Sequence, residues 1–281
     1  MTVRVDLLVT KGTFSLDGQD FDVANNVWLI GDDEEVIVVD AAHDATAILG
    51  QVGDRRLVAV LSTHGHNDHI DAAVEVADAA EAPVYLHPDD LMLWDAVHPG
   101  RSPLPLDDGR RFDVAGTALS VLHTPGHSPG AVCFHAPKLG EEGTLFSGDT
   151  LFQGGPGATG RSFSSFPQIL ESIRTRLLTL PGGTQVLTGH GGSTTIAADA
   201  GDYDAWVTRG HGGGHPGAGR GEYPYGVGGW RLEEVAPCPD TREARTSTSP
   251  GCAGSRARCA GCSAWSRARR TASTSSPRSP P

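Results

Sequence analysis

The sequence is poor in lysine and in aromatic residues, and it has no long apolar run. Lys11 and Lys138 are the only lysines, and the 281 residues carry 22 basic against 34 acidic side chains, a formal net charge of −12. Nucleic acids and anionic membrane surfaces are bound by clusters of Lys and Arg, so this balance argues against either as a partner of the main body. A small molecule or a protein is the expected partner, and nothing in the sequence specifies an oligomeric state. No stretch of eighteen uncharged apolar residues exists from which to write a transmembrane helix. The opening MTVRVDLLVTKGTF is interrupted by Arg4, Asp6 and Lys11 and lacks the charged-then-apolar order of a secretory signal, so a cytoplasmic location is expected. Five cysteines, an odd number, make no disulfide framework, and Cys133 in its apolar segment reads as a buried, reduced thiol.

Charge is unevenly spread along the chain. From Arg245 onward there are seven arginines and no acid among Ser, Thr, Ala, Gly and Pro, and the glycine-rich stretch from Gly210 to Gly229 offers little to pack. The folded domain is therefore expected at residues 1–210. Residues 211–281 form a tail with the composition of a disordered segment, or of a frameshift product in a high-GC gene. Within the domain, VRVDLL, NVWLIG, EVIVVDA, LVAVLST and VYLH read as strands, interleaved with helical patterns in DATAILGQVG, HIDAAVEVADAAEAP and PDDLMLWDA. The second half repeats the rhythm, with strands TALSVLHT, AVCFHA, GTLFSGD and QVLTGH and helices in FPQILESIRTRLLTL and TTIAADA. Two runs of strands, each followed by helices, predict an α+β fold of two face-to-face sheets with helices outside.

Directly after LVAVLST stands His64-Gly65-His66-Asn67-Asp68-His69, four potential metal ligands within six residues. Imidazoles at alternate positions of an extended turn can converge on one ion, while Asp68 and His69, where the turn enters a helix, can point to a second. Further ligand candidates lie at other predicted strand ends: His127 in HTPGHSPG, Asp149 in LFSGDT and His190 in LTGHGG.

The strings THGHNDH, TPGHSPG, FSGDTLF and TGHGGSTTI, in this order, resemble the metal motifs of the metallo-β-lactamase superfamily, in particular its glyoxalase II (hydroxyacylglutathione hydrolase) branch, over about residues 5–210. The resemblance implies a four-layer αββα sandwich. It implies that His64, His66 and His127 hold one metal, that Asp68, His69 and His190 hold a second, and that Asp149 bridges them. Two zinc ions are the expected cofactors of this nitrogen-rich set, with iron or manganese as alternatives. A water between two such ions ionises near neutral pH, and the hydroxide attacks a polarised carbonyl. The implied activity is thus that of a metallo-hydrolase, a glyoxalase II-like thioesterase acting on a small-molecule thioester or ester, with Asp68 orienting the nucleophile. Nothing after TTIAADA matches the helical region with which that branch binds glutathione, so the thiol carrier and acyl group stay open. The alternatives are a persulfide dioxygenase with one iron on the same scaffold and a broad ester or lactone hydrolase.

Weaker candidates surround these motifs. Asp40, ending EVIVVD, is expected to support the metal loop, while His123, a candidate for supporting the site, reads first as a structural histidine at a strand end. Arg161 is a candidate partner for a substrate carboxylate, and Phe152, Phe163 and Phe166 are candidate pocket residues. His43, His87, His98 and His135 carry no motif. Cys259-x-x-Cys262, with Cys252 upstream, lacks a fourth ligand and core-forming flanks, and reads against a metal site.

Overall fold

The computed structural model describes residues 2–210. The tail at 211–281, with Cys252, Cys259, Cys262 and its arginines, lies outside the described residues.

The chain starts with β1 (Arg4–Leu16) and β2 (Gln19–Gly31), thirteen residues each. They pair antiparallel from Leu16↔Gln19 to Arg4↔Gly31. Asp17 and Gly18 close the hairpin with φ of 55° and 71°, the paired positive angles that a two-residue turn needs to match strand twist. Only 3–8 and 26–31 read as strands from apolar content. The stretch between holds Asp, Asn, Lys and Gly, which are poor strand formers, and the Asp-Gly turn is what propagates register through it.

Next come β3 (Glu35–Val39), α1 (Ala45–Val52), β4 (Arg56–Leu61), α2 (Asn67–Ile70), α3 (Ala73–Ala79), β5 (Val84–Leu86), α4 (Leu91–Val97) and β6 (Leu104–Pro105). The second half runs β7 (Arg111–Val114), β8 (Thr117–His123), β9 (Val132–Ala136), β10 (Thr144–Gly148), β11 (Leu151–Phe152), β12 (Gly155–Pro156) and α5 (Phe166–Ser172), which continues through one wide turn at Ile173–Leu177. It ends with β13 (Gln185–Thr188), β14 (Thr194–Thr195), α6 (Ile196–Ala200) and α7 (Tyr203–Arg209). The single helix expected over 69–83 is two, α2 and α3, and α7 follows where the sequence had shown only the start of a helix at TTIAADA.

One sheet has the order β1-β2-β3-β4-β5-β6, the other β14-β13-β10-β9-β8-β7. In β3 the run Val36-Ile37-Val38-Val39 is buried throughout because both faces are covered. Val36 and Val38 pack on Ile48, Val52, Ile70, Val76 and Trp94 of the helical layer. Ile37 and Val39 instead meet Phe112, Leu119, Val121, Phe134 and Phe146 of the second sheet. That sheet's outer face, with Cys133, Leu145 and Val186, is covered by Ile169, Ile173, Leu177, Ile196 and Trp206. The architecture is the expected four-layer αββα sandwich, and each fully buried aliphatic side chain contributes about 1.5–3 kcal/mol to holding the layers together. No described helix is long and apolar enough to cross a membrane.

Strands β3 and β4 run parallel, as do β10 and β13, and β8 shares the direction of β10 through the antiparallel β9 between them. The loops that follow β3, β4, β8, β10 and β13 carry the motif residues, and they gather at one edge between the sheets.

Candidate metal centre

Every motif residue is brought to that edge. His64, His66, Asp68, His69, His127 and His190 are all buried. The ligand atoms of His64, His66 and His127 lie within 4.8 Å of one another, as do those of His64, His69 and Asp149 and those of Asp68, His69 and His190. Asp149 stands between the groups: Oδ1 is 3.5 Å from Nε2 of His69, and Oδ2 is 3.6 Å from Nε2 of His127 and 3.5 Å from Nε2 of His190.

Hydrogen bonds around the cluster fix which ring nitrogen faces inward. Nδ1 of His69 donates to Oδ2 of Asp40 at 2.9 Å, Nδ1 of His190 to the carbonyl of Ala24 at 2.9 Å, and Nδ1 of His127 to the carbonyl of Ala158 at 2.8 Å. Thr63 donates its hydroxyl to Asp40, so the same oxygen accepts from Nδ1 of His64 at 3.0 Å. In each ring the outer nitrogen is placed to donate, which turns Nε2 toward the cluster as the atom that can bind a metal once any proton on it is lost. As a result Nε2 of His69 and Nε2 of His190 face each other at 3.2 Å, and Nδ1 of His66 faces Nε2 of His127 at 3.0 Å. Nε2 of His64, Oδ1 of Asp68 and Oδ1 of Asp149 are buried without a hydrogen-bond partner. Ring nitrogens aimed at one another and orphaned acceptors are what a cation site requires, so these residues fit metal ions.

Protons spread over the cluster accordingly. Burial, joined by the neighbouring His69, His66 and His127, pushes the His64 imidazole well below its ordinary value, and burial with His127 pushes His66 down to about 3. Burial opposes charge on His190 too, but the carboxylates of Asp149 and Asp68 outweigh it and raise the ring to about 10; His69 is raised in the same way by Asp68, Asp149 and Asp40. Burial works against the carboxylates of Asp68 and Asp149, and the imidazoles of His69 and His190 overcome it, so both acids lie below the usual range.

Residues that carried no motif hold the ligands in place. In β2, Asn25 is fully buried and donates Nδ2 to Oδ2 of Asp68 at 3.1 Å. His43 braces that amide, with Nε2 2.9 Å from Oδ1 of Asn25 and Nδ1 2.8 Å from Oδ2 of Asp71. Asn26 bonds the carbonyls of Thr188 and Gly191, and Trp28 donates to Thr188 at 2.9 Å, which pins the loop that bears His190. Asp90 accepts from the backbone of Gly65 at 2.8 Å, from the hydroxyl of Ser128 at 2.6 Å and from the backbone of Gly130 at 2.6 Å, tying the His64–His66 loop to the His127 loop. Gly189 is required by close approach, since a Cβ there would lie 2.3 Å from Oδ1 of Asp149 and 2.8 Å from Cε1 of His69. The sequence signal for the β2 contacts was a polar Asn-Asn pair inside a strand pattern, and for Asp90 there was none.

The other candidates divide. Asp40 supports the loop as expected, receiving the Thr63 backbone at 2.7 Å as well as His69. His123 does not reach the site: it bonds the carbonyl of Pro129 and stacks on His87 at 4.1 Å and 10°. Ligand atoms of His87, Asp89 and His123 do cluster, but nearly parallel stacked rings hold their in-plane lone pairs in separate planes and cannot share an ion. A cleft of about 840 Å³ opens over the cluster, lined by Phe14, Phe21, Phe152 and Arg161 among others. Phe166 packs instead with the helical layer, and Phe163 is exposed in a left-handed conformation, φ 68°.

The profile of the metallo-beta-lactamase superfamily matches residues 21–190. Over 192 residues the chain is 36% identical to the probable metallo-hydrolase YqgX of Bacillus subtilis, covering 63% of this chain and 89% of that protein. It is 32% identical over 193 residues to the hydroxyacylglutathione hydrolase GloC of Haemophilus influenzae, covering 62% and 89%. Among solved structures, TTHA1623 in a di-iron-bound form is similar, with a TM-score of 0.57, 31% identity, and coverage of 68% of this chain and 96% of that one.

Proposed function

The chain belongs to the metallo-β-lactamase superfamily, and from that premise we propose that it is a hydrolase with a dinuclear metal site, acting on thioesters in the manner of a hydroxyacylglutathione hydrolase. The observation that carries the reading is the convergence of five imidazoles and two carboxylates, with Nε2 of His64, His69, His127 and His190 turned inward by their outer hydrogen bonds. His64, His66 and His127 are assigned to one ion, Asp68, His69 and His190 to the other, and Asp149 to both. When bound, such ions supply the Lewis acidity that ionises water and polarises a carbonyl. Zinc suits the nitrogen-rich donor set, and the similar di-iron structure makes iron the alternative occupant.

The chain's own groups do the rest. Asn25 holds Oδ2 of Asp68, so the partnerless Oδ1 is the atom proposed to accept a proton from the attacking water and fix its direction. Phe14 and Phe152 present apolar surface to the cleft and exclude bulk water from the reacting carbonyl. No serine or cysteine nucleophile is called for: Cys133 is buried in β9, and burial pushes its thiol up to about 11.

The test is metal content of protein purified without added metal or chelator, followed by a thioester panel. About two ions per chain with thioester turnover, both lost in His66→Ala while circular dichroism is retained, supports the reading. About one iron per chain, with oxygen uptake on persulfides and no thioester turnover, replaces it with the oxygenase alternative.

A further inference from the structure

Four segments that are distant in the chain converge on one imidazole outside the metal cluster. His43, in the loop after β3, has φ 62°, a left-handed conformation that a non-glycine residue seldom adopts, and its side chain is only 5% exposed. Gly12, in β1, makes room for the ring, since a Cβ there would overlap it. Asp71, directly after α2, holds the residue twice: Oδ1 accepts the backbone N–H of His43 at 2.6 Å, and Oδ2 lies 2.8 Å from Nδ1. On the far side of the ring, Nε2 is 2.9 Å from Oδ1 of Asn25 in β2.

Donors and acceptors along this chain follow from its metal end. A carboxylate ligand accepts and has nothing to donate, so Asn25 turns Nδ2 toward Oδ2 of Asp68, 3.1 Å away. That leaves the amide oxygen facing His43, and an oxygen there calls for a hydrogen on Nε2. The carboxylate of Asp71 takes the hydrogen on Nδ1, so the ring donates at both ends. The reversed amide would set its oxygen against Oδ2 of Asp68 and its Nδ2 against the ring N–H, two repulsions at hydrogen-bond distance. Oδ2 of Asp68 is also the oxygen that lies 3.5 Å from Nε2 of His69 and 3.4 Å from Nε2 of His190. Whatever fixes Asn25 therefore acts on this group of ligands rather than on His64, His66 and His127.

We infer, resting on the dinuclear hydrolase reading, that His43 is a positioning residue: its Nε2–H locks the Asn25 amide, and the lock holds Oδ2 of Asp68 where Asp68, His69 and His190 take their ion. The ring acts through Asn25 and touches neither ion nor substrate. Without the donor the amide is free to rotate, which brings its oxygen against Asp68 and turns the carboxylate away.

The test uses zinc alone, titrated into metal-free wild type and variants with 15N in the histidine rings, so that each group of ligands reports its own occupancy. His43→Phe keeps a ring over Gly12 without the donor, and His43→Asn tolerates the left-handed backbone but is too short to reach Asn25. Both are expected to weaken zinc binding at His69 and His190 about 10–100-fold, while binding at His64, His66 and His127 stays within about twofold. His43→Gln, whose amide returns an N–H to Asn25, is expected to recover part of the loss. His43→Phe combined with Asn25→Ala should lose no more than Asn25→Ala alone, because one residue acts through the other. In wild type, Nε2 of His43 should show a directly bonded hydrogen. A bare Nε2 overturns the proposal, as does a loss shared equally by both groups or absent from both, which would make the ring a packing residue. A wild type that takes up one zinc defeats the dinuclear reading and this role with it. Turnover enters none of these measurements, so selective loss of one zinc in a chain that hydrolyses no thioester defeats the thioesterase reading and leaves the role of His43 standing.

Discussion

Oδ2 of Asp40 lies 2.9 Å from Nδ1 of His69, and the same carboxylate accepts both the backbone and the hydroxyl of Thr63. One acid at the end of β3 thus sets the tautomer of His69 directly and that of His64 through Thr63. Asp40→Ala should leave metal affinity about 10–100-fold weaker, read by competition with a chromophoric chelator. Unchanged affinity in a folded variant would show that the inward lone pairs do not depend on Asp40.

Metal uptake should release protons at pH 7. Burial opposes the charge of His190, but Asp149 and Asp68 hold its value at about 10, so the metal-free ring is protonated at neutral pH and must lose that proton to become a ligand. Calorimetry in buffers of different ionisation enthalpy measures the count, and no release would contradict the assignment of His190.

The same shift gives the metal-free chain a pH-dependent stability. A ring raised from 6.5 to about 10 contributes stability that is complete below 6.5 and is lost as pH rises through about 10. Melting temperature of the chelated protein should fall across that window, while the metal-loaded protein should not show this loss. Parallel curves would be evidence against the link.

Asp90 is fully buried and serves three donors from two loops. Asp90→Ala strands them at a cost of about 1–3 kcal/mol each, so denaturant unfolding should show a loss of about 3 kcal/mol or more. A loss under about 1 kcal/mol would mean that water replaces the carboxylate.

Residues 1–210 are proposed to be the functional unit. A chain truncated after Gly210 should keep the metal content and turnover of the full chain. Loss of soluble protein on truncation would assign the tail a packing role.

Much of the centre was legible because metal ligation leaves a local signature. His64, His66, Asp68 and His69 lie within six residues, and His127, Asp149 and His190 each follow a strand with glycine beside it. The four-layer order was legible too, since buried strands and amphipathic helices differ in period. The long hairpin was only half visible, because its middle forms strand through cross-strand register and not through apolar content. Nothing local distinguishes Asn25, His43 or Asp90 from any other polar residue. Their roles arise only when chain segments tens of residues apart meet, as Asn25 does Asp68 and Asp90 does Ser128. The sequence by itself therefore determined which side chains can bind metal and in what kind of fold. The tertiary structure decided which nitrogen of each ring faces inward and what holds it there, because those properties belong to contacts between distant segments.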